Sequence, residues 1–320
     1  MVKFDLVGMD SPCVDLAVNV DKIPEPNHGE LVKNVSWQGG GKVATGLIAA
    51  ARLGARAAAI GNIGTDIYGT FIRTDFIRHG IDTKYLLQRE DKSTHFDIVI
   101  SDKKTGGRNI LYYPGTSESI TEEELPLSYL QSTKYFYIAR LDEITIKAAR
   151  LAKQAGAKII MDADSGLPNL KEELPLIDVF IGSEFIYHSL FSDSDYEKNC
   201  RAMMEKGPEI VVFTFGEKGA AGVSREGYFQ IPAYKVETVD TVGAGDVFHG
   251  AFAAGLLKNL SVCETARFAA AAAAIKCTRI GGRAGIPDMD TVKKFMETGM
   301  IDYKEIDHRV EFYQRGIEHV

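Results

Sequence analysis

The chain has 320 residues, of which 45% are hydrophobic and 25% charged, and it carries a formal net charge of −7 at pH 7. That is enough chain for one large core, or a core with a small appendage, in a composition unlike that of a fibrous or disordered protein. The acidic balance argues against the basic face of a nucleic-acid binder, and with no signal-peptide or membrane-spanning pattern a cytoplasmic protein is expected, with no membrane partner.

In chain order, Phe4 to Met9 is a short apolar run that reads as a buried first strand. Val14, Leu16, Val18 and Val20 alternate around Asp15 like a half-exposed strand, and Leu31 to Trp37 alternates likewise. Pro24, Pro26, Asn27 and Gly29 mark the connection between them. Three glycines, 39 to 41, lead into a helix of small residues that stops at Gly54. They would also suit the hinge of a closing lid. Tyr68, Phe71, Ile72 and Phe76 form a helical face that ends at Gly80. Residues 93–114 read as a hairpin, THFDIVIS and RNILYYP turned by DKKTGG. With the two earlier strands it is expected to make a four-stranded lid.

Beyond Pro114, strands at 135–139, 158–162, 178–181 and 210–215 alternate with helices before Gly156 and around 194–206. This pattern predicts a parallel sheet with helices on both faces. Six alanines at 269–274 read as tight helix packing, and a glycine-rich loop, KCTRIGGRAGIPD, follows. Residues 301–320 are mixed in charge with some helical periodicity and suggest no function. Cys13, Cys200, Cys263 and Cys277 are far apart and form no C-x-x-C, so they are expected to be reduced, mostly buried thiols rather than disulfides or zinc ligands.

The most informative stretch is VDTVGAGDVFHGAFAAGLL, residues 239–257. Gly243, Ala244 and Gly245 are small enough for their amides to converge on an anion at the positive end of the helix that follows, with Asp246 at the junction. The same string also reads as an ordinary helix start with Asp246 as its N-cap.

Asp240, Thr241, Gly243, Gly245, Asp246, Phe248 and Gly250 resemble the C-terminal signature of the PfkB, or ribokinase-like, family of carbohydrate kinases. Gly40, Gly41, Leu53, Gly54, Gly61, Gly64, Asp66 and Gly69 resemble its N-terminal signature. The resemblance covers roughly residues 4 to 297. Within the family, GGG-x-x-A-T, GDVFHGA and KCTR-x-GGRAGIPD are most similar to the sulfofructose kinase branch.

The resemblance implies an α/β three-layer sandwich with a mostly parallel central sheet and a small β-sheet lid. Residues 1–14, 38–92 and 115–300 would form the core, 15–37 and 93–114 the lid, and 301–320 a C-terminal extension. The implied reaction is transfer of the γ-phosphate of ATP to a hydroxyl of a small sugar, with Asp246 as base and the amides of Gly243, Ala244 and Gly245 at the transferred group. Asp15, Gly40, Gly41, Thr45 and Arg140 are implied at the sugar, and Thr214, Gly216, Gly219 and Gly282 at ATP. Mg2+ would ride in with the nucleotide phosphates. Asp240, the Val242 carbonyl and carbonyls of the following glycine-rich loop would hold a monovalent cation such as K+. A homodimer through the lid is a further implication.

Three departures stand out. Thr45 and His249 occupy places where the family commonly has Asn, and Ser183 to Ile186 reads SEFI where an N-x-x-E motif is common, with Glu184 as a substitute. Arg140 is shared with the sulfofructose branch, but Glu30 and Tyr112 replace a Lys and an Asn near its sulfonate, so a neutral ketose or related sugar is expected. A dinucleotide-binding fold is excluded because DSPCVD, not G-x-G-x-x-G, follows the first strand, and a P-loop because Val43 follows Lys42. A nucleoside kinase of the same fold and a non-catalytic sugar-binding regulator remain as alternatives. Asp246 favours catalysis, since binding alone needs no base.

Overall fold

The computed structural model describes residues 2–105, 107–164 and 167–317. Met1, Gly106 of the expected hairpin turn, residues 165–166 of the expected core and residues 318–320 of the C-terminal extension lie outside the described residues. The first half of the chain forms strands β1 (Phe4–Met9), β2 (Cys13–Val20), β3 (Val32–Gly40), β4 (Ala57–Gly64), β5 (Asp82–Arg89), β6 (Phe96–Asp102) and β7 (Arg108–Tyr113). The second half adds β8 (Thr133–Ile138), β9 (Lys158–Ala163), β10 (Val179–Ser183), β11 (Ile210–Thr214), β12 (Ala220–Ser224) and β13 (Gly227–Ile231).

Nine strands make the main sheet in the order β13-β12-β11-β10-β9-β8-β1-β4-β5. Every pairing from β5 to β11 is parallel, and only β12 and β13 run antiparallel at one edge. A parallel sheet must be covered on both faces, and side chains alternate accordingly. Leu6 and Ile160 point into one core, while Val7 and Met161 point into the other. Strand order reverses at β1, which lies between β4 and β8. In open α/β sheets that reversal leaves a ligand crevice at the carboxyl ends of the strands.

The helices that reach this crevice are made of small residues for a packing reason. Helix Lys42–Arg52 and helix Ala244–Leu257 cross so closely that a Cβ on Gly250 would lie 2.0 Å from the Gly46 carbonyl oxygen. That contact fixes the start of one helix relative to the start of the other.

The second sheet, β3-β2-β6-β7, is the expected four-stranded lid. Its base is tied down by the turn from Gly64 to Gly69. Asp66 caps helix Ile67–Arg78 by accepting from the Gly69 amide at 2.9 Å, and also accepts from the Thr94 amide and hydroxyl at 2.8 and 2.6 Å. Trp37, Tyr68 and Phe96 stack across the same junction.

Gly39 and Gly40 are the last residues of β3, paired with Val14 and Cys13, so two of the three glycines extend a strand instead of forming a separate hinge. Strand β5 and the β12–β13 pair had no clear sequence signal. The C-terminal extension folds as helix Lys304–Gln314, with Ile306, Arg309 and Tyr313 buried against the body. No helix among the described residues is long and apolar enough to cross a membrane.

Candidate active site

Helix Ala244–Leu257 starts at Gly243, whose positive φ of 74° puts it in the left-handed region. A Cβ there would also sit 2.8 Å from Gly282 Cα, so the loop bearing Gly282 closes directly over this turn. Asp246 lies in the first helical turn and makes no N-cap bond, because Gly243 is the N-cap. This removes the reading of Asp246 as a simple helix cap. Around Gly245 and Gly282 a Cβ would meet no atom within 4 Å, leaving open space in front of the helix terminus. Amides at such a terminus attract anions.

Asp246 sits in a dense acidic cluster. Burial pushes its pKa well above the ordinary carboxylate range, Asp162, Asp10 and Asp15 push the same way, and Lys42 opposes them. Lys42 donates to Asp164 at 2.9 Å, and Ser183 donates to the other oxygen of Asp164 at 2.9 Å. Burial lowers the Lys42 pKa, but Asp162, Asp164 and Asp246 outweigh it and leave the ammonium above its usual range.

Asp162 in turn accepts from the Tyr137 hydroxyl at 3.1 Å. His249 faces the Gly245 and Ile181 carbonyls at 2.6 and 3.2 Å and lies 3.5 Å from Asp162. At the position where Asn was noted as frequent, this histidine therefore ties the active-site helix to β10. Asp10, just after β1, accepts from the Val43 and Ala44 amides at 3.0 and 3.3 Å and so caps helix Lys42–Arg52 from outside its own segment.

The lid side begins at Asp15, which is buried. Gly40 allows its approach: a Cβ there would lie 2.2 Å from Asp15 Oδ1. Gly41 follows at φ 93° as the N-cap of helix Lys42–Arg52. Asp15 and Asp97 are directly opposite on neighbouring strands, with Tyr112 next in the row. The Cys13 thiol lies 3.3 Å from Asp15 and 3.5 Å from Asp97, and His95 pairs with Asp97 at 2.8 Å. Cys13, His95 and Asp97 thus converge within 4.8 Å, a set of metal-ligating types that the spacing of the cysteines did not suggest. All four cysteines are unbridged, with Cys13 and Cys200 buried and Cys263 and Cys277 half-buried.

Thr45 is fully buried and its hydroxyl accepts from Arg283 at 3.4 Å. Arg140 follows β8, donates to the Ser11 hydroxyl at 3.2 Å and lies 3.9 Å from Asp10. It lines a cavity of about 340 Å3 together with Asp10, Ser11, Asn62 and Thr145. At the other end of the crevice, Thr214 closes β11, Gly216 and Gly219 adopt positive φ in the turn to β12, and Glu184 pairs with Lys218 of that turn at 2.8 Å.

Asp240 is buried, with Oδ1 accepting from the Val242 amide and Oδ2 from the Gly281 amide, both at 2.9 Å. Sequence reasoning missed Lys42, Asp10, Asp162 and Asp164 as members of the site. Their convergence depends on contacts between distant strands and helices.

The comparisons agree with this geometry. The pfkB family carbohydrate kinase model matches residues 3–289. A ribokinase of Haemophilus influenzae is 30% identical over 302 residues, covering 91% of this chain and 98% of the relative. A nucleoside kinase of Methanothermobacter thermautotrophicus is 25% identical over 298 residues, covering 91% and 95%. The fold is that of an Arabidopsis thaliana ribokinase solved with ribose and ATP, with a TM-score of 0.78 at 24% identity, covering 93% of this chain and 99% of the other. A two-sheet α/β architecture, paired glycine signatures in register with it and a match over nearly the whole chain lead to one conclusion: this chain belongs to the pfkB family of carbohydrate kinases.

Proposed function

We propose that the chain transfers the γ-phosphate of ATP to a hydroxyl of a small neutral sugar, with Asp246 as the general base. The observation that carries this is the place of Asp246: in the first turn of helix Ala244–Leu257, beside the open space at the helix terminus, with Gly243 and not Asp246 serving as the helix cap. Phosphoryl transfer asks a protein mainly to position its substrates and neutralise charge, with a carboxylate to accept the attacking hydroxyl's proton. Asp246 takes that proton. The amides of Gly243, Ala244 and Gly245 and the helix terminus hold the transferred group, and Lys42 balances charge on the acidic cluster.

ATP fits the cleft between the Gly243 turn, the Gly282 loop and the Thr214 to Gly219 turn. Mg2+ bound with the nucleotide neutralises its phosphates. Asp164 is engaged by Lys42 and Ser183, and Glu184 by Lys218, so the ion's place rests chiefly on the phosphates. Glu184 serves better as a partner of the nucleotide-side turn than as a replacement for the missing N-x-x-E motif.

Asp15 and Asp97 offer carboxylate oxygens to adjacent sugar hydroxyls. Two carboxylates in one row, with a third acid, Glu30, just before β3 in the chain, favour a neutral acceptor over a sulfonated one. Gly40 and Gly41 serve the sugar site by letting Asp15 and Asp10 pack against the backbone there, and Arg140 borders the neighbouring cavity. A nucleoside acceptor is the second reading, favoured by the likeness to the nucleoside kinase. A lid-to-lid homodimer is part of the proposal, because all of β7 is exposed, including Leu111 at 60% and Tyr112 at 74%. An exposed edge strand of this kind invites pairing.

The test is ADP release in a coupled assay with ketoses, pentoses, sulfonated and phosphorylated sugars, and nucleosides. Turnover with a neutral sugar supports the reading, and turnover confined to nucleosides supports the second. Folded, ATP-binding protein that releases no ADP with any acceptor would make the chain a binding regulator.

A further inference from the structure

Lys276 is the last residue of helix Val262–Lys276, and its side chain is completely buried. Its Nζ donates to the Asp240 main-chain carbonyl at 2.8 Å. The Asp240 carboxylate is satisfied by the Val242 and Gly281 amides. The Cys277 carbonyl accepts from the Val239 and Asp240 amides at 2.8 and 3.1 Å. Among the donors expected to hold a monovalent cation, the Asp240 carboxylate is therefore engaged by two amides and the Cys277 carbonyl of the loop by two more, while the neighbouring Asp240 carbonyl is taken by an ammonium. An added K+ would stand beside a buried positive charge in a low-dielectric interior, where like charges repel strongly. These residues do not fit a monovalent cation.

We propose that the Lys276 ammonium takes the place of that cation and makes nucleotide binding and turnover independent of K+. The inference rests on the kinase reading for turnover, but not for nucleotide binding. A buried ammonium is costly unless compensated. Here the compensation comes from the Asp240 carbonyl, from the carboxylate of the same residue, and from the negative end of the helix that Lys276 terminates. Asp246 contributes as well: burial lowers the Lys276 pKa overall, and Cys277, Asp240 and Asp246 offset part of that effect.

The bond also has a mechanical consequence. It joins residues 239–242, which lead into the Gly243 turn, to the loop that places Gly282 over that turn. Gly285 packs on the Lys276 backbone so closely that a Cβ would lie 2.4 Å from its carbonyl oxygen. Lys276 thus ties together both sides of the nucleotide cleft with a group that is covalently part of the chain.

The experiment measures affinity for a non-hydrolysable ATP analogue by calorimetry, and turnover in parallel, in K+ and in choline at constant ionic strength. Wild type and Lys276→Ala are compared, because the smaller side chain vacates room for an ion. The wild type is expected to be indifferent to K+. Lys276→Ala is expected to bind the analogue more weakly in choline and to recover in K+ by about 5- to 150-fold, the usual size of coupling between two sites. K+ activation of the wild type overturns the inference, and so does undiminished affinity in Lys276→Ala. A loss that K+ leaves unrestored reduces Lys276 to a packing residue and also overturns it. If Lys276→Ala does not fold, the wild-type comparison decides alone. Absence of turnover in every salt, with analogue binding intact, sinks the kinase reading and leaves the binding result to stand.

Discussion

Tyr313 donates its hydroxyl to Asp75 Oδ1 at 2.5 Å, and both residues are completely buried. The other Asp75 oxygen takes Arg283 Nη1 at 2.7 Å, and Arg283 Nη2 reaches the Gly40 carbonyl at 2.7 Å. Three hydrogen bonds in series therefore connect a C-terminal helix lying beyond the family match, which ends at residue 289, to the backbone beside Asp15. Burial alone would raise the Asp75 pKa, but Arg283, His79 and Tyr313 hold it below the ordinary range.

Replacing Tyr313 with Phe leaves a buried carboxylate oxygen without its donor, which costs about 1–3 kcal/mol. Denaturant unfolding of Tyr313→Phe should show that loss. Because Arg283 would then be held less firmly against Gly40, the sugar KM should rise while the ATP KM stays put. Equal changes in both would deny the link to the sugar side.

Asp15 gives a pH-dependent prediction. Burial is the largest influence on its carboxyl; with Asp97 it outweighs Cys13, Arg283 and His95 and pushes the pKa up to about 6. The unfolded value is about 3.9. A folded-state pKa above the unfolded one favours the protonated fold, so this contribution is fully present below about pH 4 and is lost as pH rises through about 6. Two units correspond to about 3 kcal/mol at neutral pH. Asp15→Asn should accordingly be more stable than wild type by about 1–3 kcal/mol at neutral pH, with the gain vanishing toward pH 4, yet bind sugar poorly. A stability difference that does not vary with pH would contradict the assignment.

Lys42 lowers the Asp246 pKa against the push from burial and Asp162. Removing the ammonium raises that pKa, so the basic form appears only at higher pH. The acid limb of the kcat profile should move upward by about 1–3 units in Lys42→Met. An unmoved limb would mean that Asp246 and Lys42 are not coupled in catalysis.

Much of the fold was readable because its signals are local. Alternation marked β2, β3, β6 and β7, and apolar runs marked β1 and β8 to β11. Strand β5 escaped because DTKYLLQR is mixed in polarity, with its burial irregular along the strand, and β12 because AAGVS is made of small residues. The glycine turn and Asp246 were legible as a motif. Whether Asp246 capped its helix was not, since that depends on the backbone angle at Gly243. Arg283 looked like a loop residue, and its complete burial follows only from meeting Asp75, 208 positions away. Asp10, Lys42, Asp162 and Asp164 were missed for the same reason: they come from separate strands and helices that meet only in the folded sheet.

The central claim is that Asp246 acts in the chemical step and not as a binding or capping residue. Loss of a general base typically costs on the order of 10²- to 10⁴-fold in rate. The measurement is single-turnover phosphoryl transfer by Asp246→Asn at saturating sugar and ATP, with circular dichroism to establish folding and calorimetry for nucleotide affinity. The account predicts a rate lower by that factor in a folded protein whose nucleotide affinity is unchanged. A folded Asp246→Asn that transfers phosphate at near the wild-type rate would contradict it.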